Sequence, residues 1–290
     1  MHKTNCILTI KTYTIMSKEI LVCIDFSNAS IVALRLAVDI ANRTNSNIKM
    51  IWVETIEKDR DEAENILKDF CTSFGKALKQ TTISYEITKG KRVHSVLVKY
   101  INQTKPYLVV LGTNGNSGYD ERFAGANTFK TINDSSVPVF SVRENFDFSK
   151  PLENIILPID STEETRQKVP WTVDFARMFP GATIRILGLL SHRNNKPLTD
   201  LVYKYVENVG EFLKKRGLKF TTEMRESDNV TLTTLDYAKE VNADMIVIMT
   251  EQEKTLSNLF FLGPYAQQMI NLSPYPVLTI SPRLTGAYSM

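Results

Sequence analysis

Cysteine is scarce in this chain of 290 residues: Cys6, Cys23 and Cys71 are the whole complement, at spacings that form neither a zinc pattern nor a disulfide framework. Such usage fits a reducing, cytoplasmic compartment. Histidine is equally rare. His2, His94 and His192 stand apart with no carboxylate cluster near them in sequence, which argues against a metal centre or a histidine-based active site. No apolar run approaches the roughly 18 residues that a membrane-spanning helix needs. Charge of one sign is missing too: 35 basic and 32 acidic side chains are interspersed for a net charge of +3, so nothing marks a nucleic-acid partner. There is no G-x-x-x-x-G-K-[ST], and the turn "DFSNAS" after the first apolar run holds no glycine. The P-loop and the dinucleotide fingerprint are therefore both absent. No G-x-S-x-G and no Cys/His pairing suggests a nucleophile.

What is present is a globular composition, 43% hydrophobic and 23% charged, long enough for two ordinary domains. The chain repeats itself. "EILVCIDFSNASIVALRLAVDIANRTNSNIKMIWVE" from Glu19 is echoed by "NIILPIDSTEETRQKVPWTVDFARMFPGATIRILGLL" from Asn154. Each copy runs through an apolar strand ending in Ile-Asp, a polar turn, an amphipathic helix and a second strand. "KPYLVVLGTNG" matches "ADMIVIMTEQE", and "FAGANTFKTINDSSVPVFSV" matches "FLGPYAQQMINLSPYPVLTI". Asp25 pairs with Asp160 at an offset of 135, and Gly125 with Gly263 and Pro138 with Pro276 at 138.

In the first half, the periodicity predicts strands near 19–25, 48–54, 82–88, 107–112 and 138–143 and helices near 28–44, 58–79, 92–104 and 124–134. Near-continuous apolar strands such as "YLVVL" are expected where both sheet faces are covered. The fold class is therefore α/β: two tandem doubly wound domains, each a mainly parallel five-stranded sheet flanked by helices. We place the first domain at 16–145, a linker at 146–153 and the second domain at 154–290. Residues 1–15 read as an N-terminal extension ahead of Met16, an extra edge strand being the alternative. The last strands, "VPVFSV" and "YPVLTI", are apolar enough to need covering.

In doubly wound sheets, ligands sit beyond the carboxyl ends of the strands, where strand order reverses. The stretch "GTNGNSGYDERFAGANT", 112–128, follows such a strand and leads into a helix. Its spacing Gly112-x2-Gly115-x9-Gly125 suits a phosphate: glycine lets backbone N–H groups approach an anion, and a helix start favours negative charge. A loop that only has to turn explains the glycines equally well on spacing alone.

With the repeat, the glycine spacing and Asp25 in "CIDFS", the chain resembles a tandem universal stress protein from about Met16 to Pro282. The resemblance implies five parallel strands per domain, the last mediating antiparallel pairing of the halves into an intrachain pseudo-dimer; a further homodimer stays open. The nucleotide-binding branch of that family carries G-x2-G-x9-G-[ST] after the fourth strand and an Asp at the end of the first. By that resemblance, Asp25 meets adenosine with the backbone of Ile24 and Phe26 beside it, and Val53 contacts adenine through its backbone. Gly112, Asn114 and Gly115 line the ribose and phosphates, and Gly125, Ala126 and Asn127 bind phosphate through backbone amides. The plain alternatives are helix capping for Asp25 and core packing for Val53. The implied ligand is ATP or another adenine nucleotide, with Mg2+ allowed as a companion ion.

Two departures weigh on this. The family motif has Ser or Thr where this chain has Ala126, so one hydroxyl donor to phosphate is missing. In the second half Thr250 and Glu253 replace the first two glycines, and Pro264 follows Gly263, removing an N–H. The expectation is a stress-response protein binding one adenine nucleotide in its first domain, with regulatory output. No residue qualifies as an evident general base, so efficient hydrolysis is not expected, slow ATPase activity being a minor reading. The rival is a nucleotide-free protein-interaction module of the same fold.

Overall fold

The computed structural model describes residues 18–55, 60–113, 124–162, 164–191, 195–250 and 265–282. In the first half they form β1 (Glu19–Cys23), α1 (Asn28–Thr44), β2 (Asn47–Glu54), α2 (Arg60–Gly75), β3 (Ile83–Lys89), α3 (Val93–Thr104), β4 (Leu108–Thr113), α4 (Ala124–Asp134) and β5 (Val139–Arg143). The second half follows with β6 (Asn154–Ile159), a 3-10 turn (Glu164–Arg166), α5 (Val169–Ala176), β7 (Thr183–Leu190), α6 (Lys196–Lys214), β8 (Lys219–Glu226), α7 (Val230–Glu240), β9 (Met245–Met249), α8 (Tyr265–Leu272) and β10 (Val277–Ile280).

All ten strands belong to one sheet, in the order β3-β2-β1-β4-β5-β10-β9-β6-β7-β8. Pairing is parallel within each half. Among the described strands only the central β5–β10 pair is antiparallel. There Phe140 faces Leu278, Ser141 faces Val277 and Val139 faces Thr279. Phe140 and Leu278 are the same position in the two repeats, 138 residues apart. The seam is thus an isologous contact folded back within one chain, with its pseudo-two-fold axis through that pair.

Strand alternation sends Ile20, Val22, Ile48, Met50, Val110, Phe140 and Val142 to one face, under α1 and α2. That core continues across the seam into Ile155, Leu157, Ile186 and Leu278 under α5 and α6. Phe140 meets Phe175 edge-on, with ring centroids 5.3 Å apart, and Phe175 stacks on Phe179 at 5.4 Å. From α1, Arg43 lays its guanidinium 4.3 Å from the Phe179 ring centroid and donates to the Met178 carbonyl at 3.3 Å. On the other face, α3 and α4 cover Leu21, Ile51, Val109 and Val139. Phe129 of α4 packs against the cores of both halves there.

The ladder of β1 stops at Cys23, two residues short of the sequence expectation. Ile24 still donates to the Ile51 carbonyl at 2.9 Å, but Phe26 then adopts a φ of 63° and turns the chain out of the sheet. Helix α2 ends at Gly75 rather than near 79. Asn42 of α1 accepts from Lys79 N and donates to the Ala77 carbonyl, holding 77–79 in a turn.

Candidate functional site

Strand order reverses between β1 and β4, so the carboxyl ends of those strands flank the first half's crevice. Ile24, Asp25 and Phe26 form its lip. Ile24 is buried. Asp25 is exposed, and its Oδ1 accepts from Ser27 N at 3.0 Å and Ser27 Oγ at 2.5 Å. The cap of α1 is Ser27, whose Oγ accepts from Ser30 N at 3.2 Å. Helix capping therefore does not account for Asp25; fixing the turn before the cap does, and it occupies one carboxylate oxygen. The Phe26 ring turns towards α2, 5.8 Å from Trp52 and 6.4 Å from Phe70. Its left-handed backbone conformation is uncommon for a bulky residue and sits next to Asp25.

Val53 lies near the end of β2, its side chain buried against the α3–α4 face. Beside it, Glu54 is a buried carboxylate whose Oε2 takes a 2.9 Å bond from Arg60, with Lys89 Nζ 3.8 Å from Oε1. Cys23 lies at the base of the lip. Burial, and after it the charge of Asp25, push its thiol up to about 12, so it stays protonated and unreactive at neutral pH. His94 is accounted for by its contact with Asp134, 3.1 Å away, which ties α3 to α4.

Gly112 follows the buried run of β4, which ends at Leu111. A Cβ there would lie 2.3 Å from the Ala29 carbonyl carbon and 2.6 Å from Ser30 N, so the first turn of α1 docks directly on this glycine. Close helix–strand packing requires Gly112 whatever the crevice holds. Asn114 and Gly115 lie outside the described residues. Gly125, Ala126 and Asn127 fall in the first turn of α4, which opens at Ala124; their side chains are outside the description. The structure thus gathers Ile24, Asp25, Phe26, Val53 and Gly112 around the ends of β1, β2 and β4. Among the described residues no cluster of His, Cys, Asp and Glu could hold a metal ion.

The matching edge of the second half is built differently. Asp160 repeats the Asp25 turn, accepting from Thr162 N at 2.8 Å and Thr162 Oγ1 at 2.6 Å. Beyond it the helix is delayed to Val169, and Lys168 is buried at 4% exposure with Nζ donating to Thr165 Oγ1 at 3.1 Å. Burial pulls the Lys168 ammonium down to about 8, Asp160 opposing the shift. Sequence reading missed Lys168, although the repeat carries a signal for it: the matching residue in α1 is Ala33, wholly buried.

The universal stress protein family matches residues 16–143 and again 151–281. No curated relative matches the chain. Among solved structures, a universal stress protein from Archaeoglobus fulgidus DSM 4304 superimposes with a TM-score of 0.72 at 15% identity, over 92% of this chain and 99% of that one. A putative universal stress protein from Pseudomonas aeruginosa UCBPP-PA14 gives 0.64 at 15% identity, over 92% and 94%. A further one, described as a universal stress protein in complex with cAMP, gives 0.38 at 21% identity and covers 44% of this chain and 98% of its own. No described helix is long and apolar enough to cross a membrane. Two matches in tandem on one continuous sheet make the chain a two-domain member of the universal stress protein family.

Proposed function

We propose that the protein binds one adenine nucleotide at the carboxyl edge of its first half and works in the cytoplasm as a stress-response regulator, not as a catalyst. The observation that carries this reading is Asp25. Its carboxylate stands exposed at the β1–β4 switch point, oriented by Ser27 through one oxygen. A carboxylate so placed suits the hydroxyl donors of a ribose. The opening of α4 at Ala124 gives backbone N–H groups and a positive helix pole on the same edge, which suit phosphate oxygens. Family membership adds weight, since the family includes a protein solved with cAMP. Asp25, Gly112 and the start of α4 would hold the nucleotide.

Isothermal titration with ATP, ADP and AMP tests the reading. One site per chain is expected. Ala126→Ser should tighten binding by about tenfold, a restored hydroxyl donor to phosphate being worth about 1.5 kcal/mol. Gly115→Val should weaken it. No binding at millimolar nucleotide by either wild type or Ala126→Ser would leave the protein-interaction module as the reading. One observation favours that rival: packing against α1 accounts for Gly112 with no ligand invoked.

A further inference from the structure

Arg143 closes β5, in register with Thr113 at the end of β4, so it stands on the ligand edge of the first half. Alternation places its side chain on the face of α3 and α4, opposite Phe140 and Val142. Two helix ends meet over this point. Helix α4 begins at the edge where β4 ends, because it must run back to the start of β5. Helix α8 finishes there too, because β10 runs antiparallel to β5 and its first residue, Val277, faces Ser141. Arg143 Nη2 donates to the carbonyl of Asn271 in the last turn of α8. Its Nε is buried and has no partner among the described residues.

No described carboxylate pairs with this guanidinium, and burial holds it below the usual arginine range. A partly desolvated cation without a counter-charge is costly, and a spare buried N–H costs more. The C-terminal pole of α8 offsets only part of that, and the positive pole of α4 on the same edge opposes it. An anion between the two is the partner the arrangement lacks. The second half has no counterpart, since the matching position holds Ser281.

We propose that Arg143 is a ligand-binding residue of the first half, its guanidinium bonding a phosphate of the bound nucleotide while staying anchored on α8. This rests on the nucleotide reading above. Its consequence is a phosphate held from both halves of the chain, by α4 of the first and, through Arg143, by α8 of the second.

The test is calorimetric titration of wild type and Arg143→Met with adenosine, AMP and ADP, with circular dichroism to check the fold. The variant should bind AMP and ADP at least about tenfold more weakly, with adenosine unchanged. Arg143→Lys, which keeps the charge but not the planar fork, should fall between. Should Arg143→Met not fold, the Nε resonance of Arg143 in the wild-type protein gives the answer: it should move with ADP and stay put with adenosine. Equal weakening of all three ligands would make Arg143 a scaffold residue for α8 and overturn the proposal, as would no weakening, or a resonance indifferent to phosphate. In those cases nucleotide binding itself stands. If wild type binds none of the three, both readings fall together.

Discussion

Lys168 carries its ammonium where the first half has the methyl group of Ala33. One hydrogen bond to Thr165 Oγ1 and the nearby charge of Asp160 do not repay its burial, which is why its pKa falls to about 8. The unfolded chain keeps the ordinary value of 10.5, so between about pH 8 and 10.5 the unfolded state binds more protons than the folded one. Stability contributed by this residue therefore rises with pH across that window. Below it, the folded protein bears the full cost of a buried charge. Lys168→Met should raise stability by about 2 kcal/mol near neutral pH, within the gain known for replacing buried charges by apolar residues. The gap to wild type should close towards pH 10.5. Urea denaturation of both proteins at several pH values would show it; a variant less stable than wild type at pH 7 would mean that Lys168 anchors the turn. Nothing local in "ETRQKVPW" announces a buried lysine, because charge in a polar turn reads as surface. Only alignment of the halves puts it on an apolar face. Asp25 drew notice through the family resemblance, but its bond to Ser27 was not legible, since the cap and the turn compete for the same short polar stretch.

At the scale of elements, α1 and α5 are the same helix in the repeat and differ by half their length, 17 residues against 8. Two substitutions explain it. Pro170 stands where α1 has Arg35, and a proline ring there would collide with a carbonyl four residues earlier. Thr250 stands where β4 has Gly112, and a side chain at that place would enter the backbone of the first helical turn. The second half answers with a 3-10 turn and a late start. The positive pole of a full-length helix is thereby displaced from the second crevice, which adds to the lost glycines as support for proposing a single site per chain. Gly112→Ala should accordingly destabilise the protein by about 3 kcal/mol through overpacking, with or without nucleotide. A melt indistinguishable from wild type would show that α1 can retreat freely. Element bounds were legible where a sharp signal exists: α1 opens on Ser27 and α4 ends just before "SSVP". They were less so at β1, whose end depends on the left-handed turn at Phe26. Glycine and asparagine advertise that conformation, and a phenylalanine does not.

For the whole molecule, the ten strands and the core beneath α1, α2, α5 and α6 are continuous through the seam. Two domains joined only by a tether would be free to melt apart. Here the last strand of each half is the inner neighbour of the other, so neither can leave without exposing an apolar edge. Two apolar final strands made the need for cover legible, and the family resemblance implied that they cover each other. It did not make the packing legible: Phe140 against Phe175, or Arg43 on Phe179, joins residues that no periodicity relates. Phe140 is fully buried at the pseudo-two-fold axis and touches the aromatic cluster of the second half. Phe140→Ala should cost about 4 kcal/mol, the middle of the range for emptying a core aromatic site. Because the cavity lies in the shared core, that loss should appear in both halves at once. Calorimetry should give one endotherm for wild type, and fluorescence of Trp52 in the first half and Trp171 in the second, read separately in single-tryptophan variants, should shift together in Phe140→Ala. Two resolved transitions in wild type, or a shift confined to Trp52, would mean that the halves fold as separate units and that the seam only joins them.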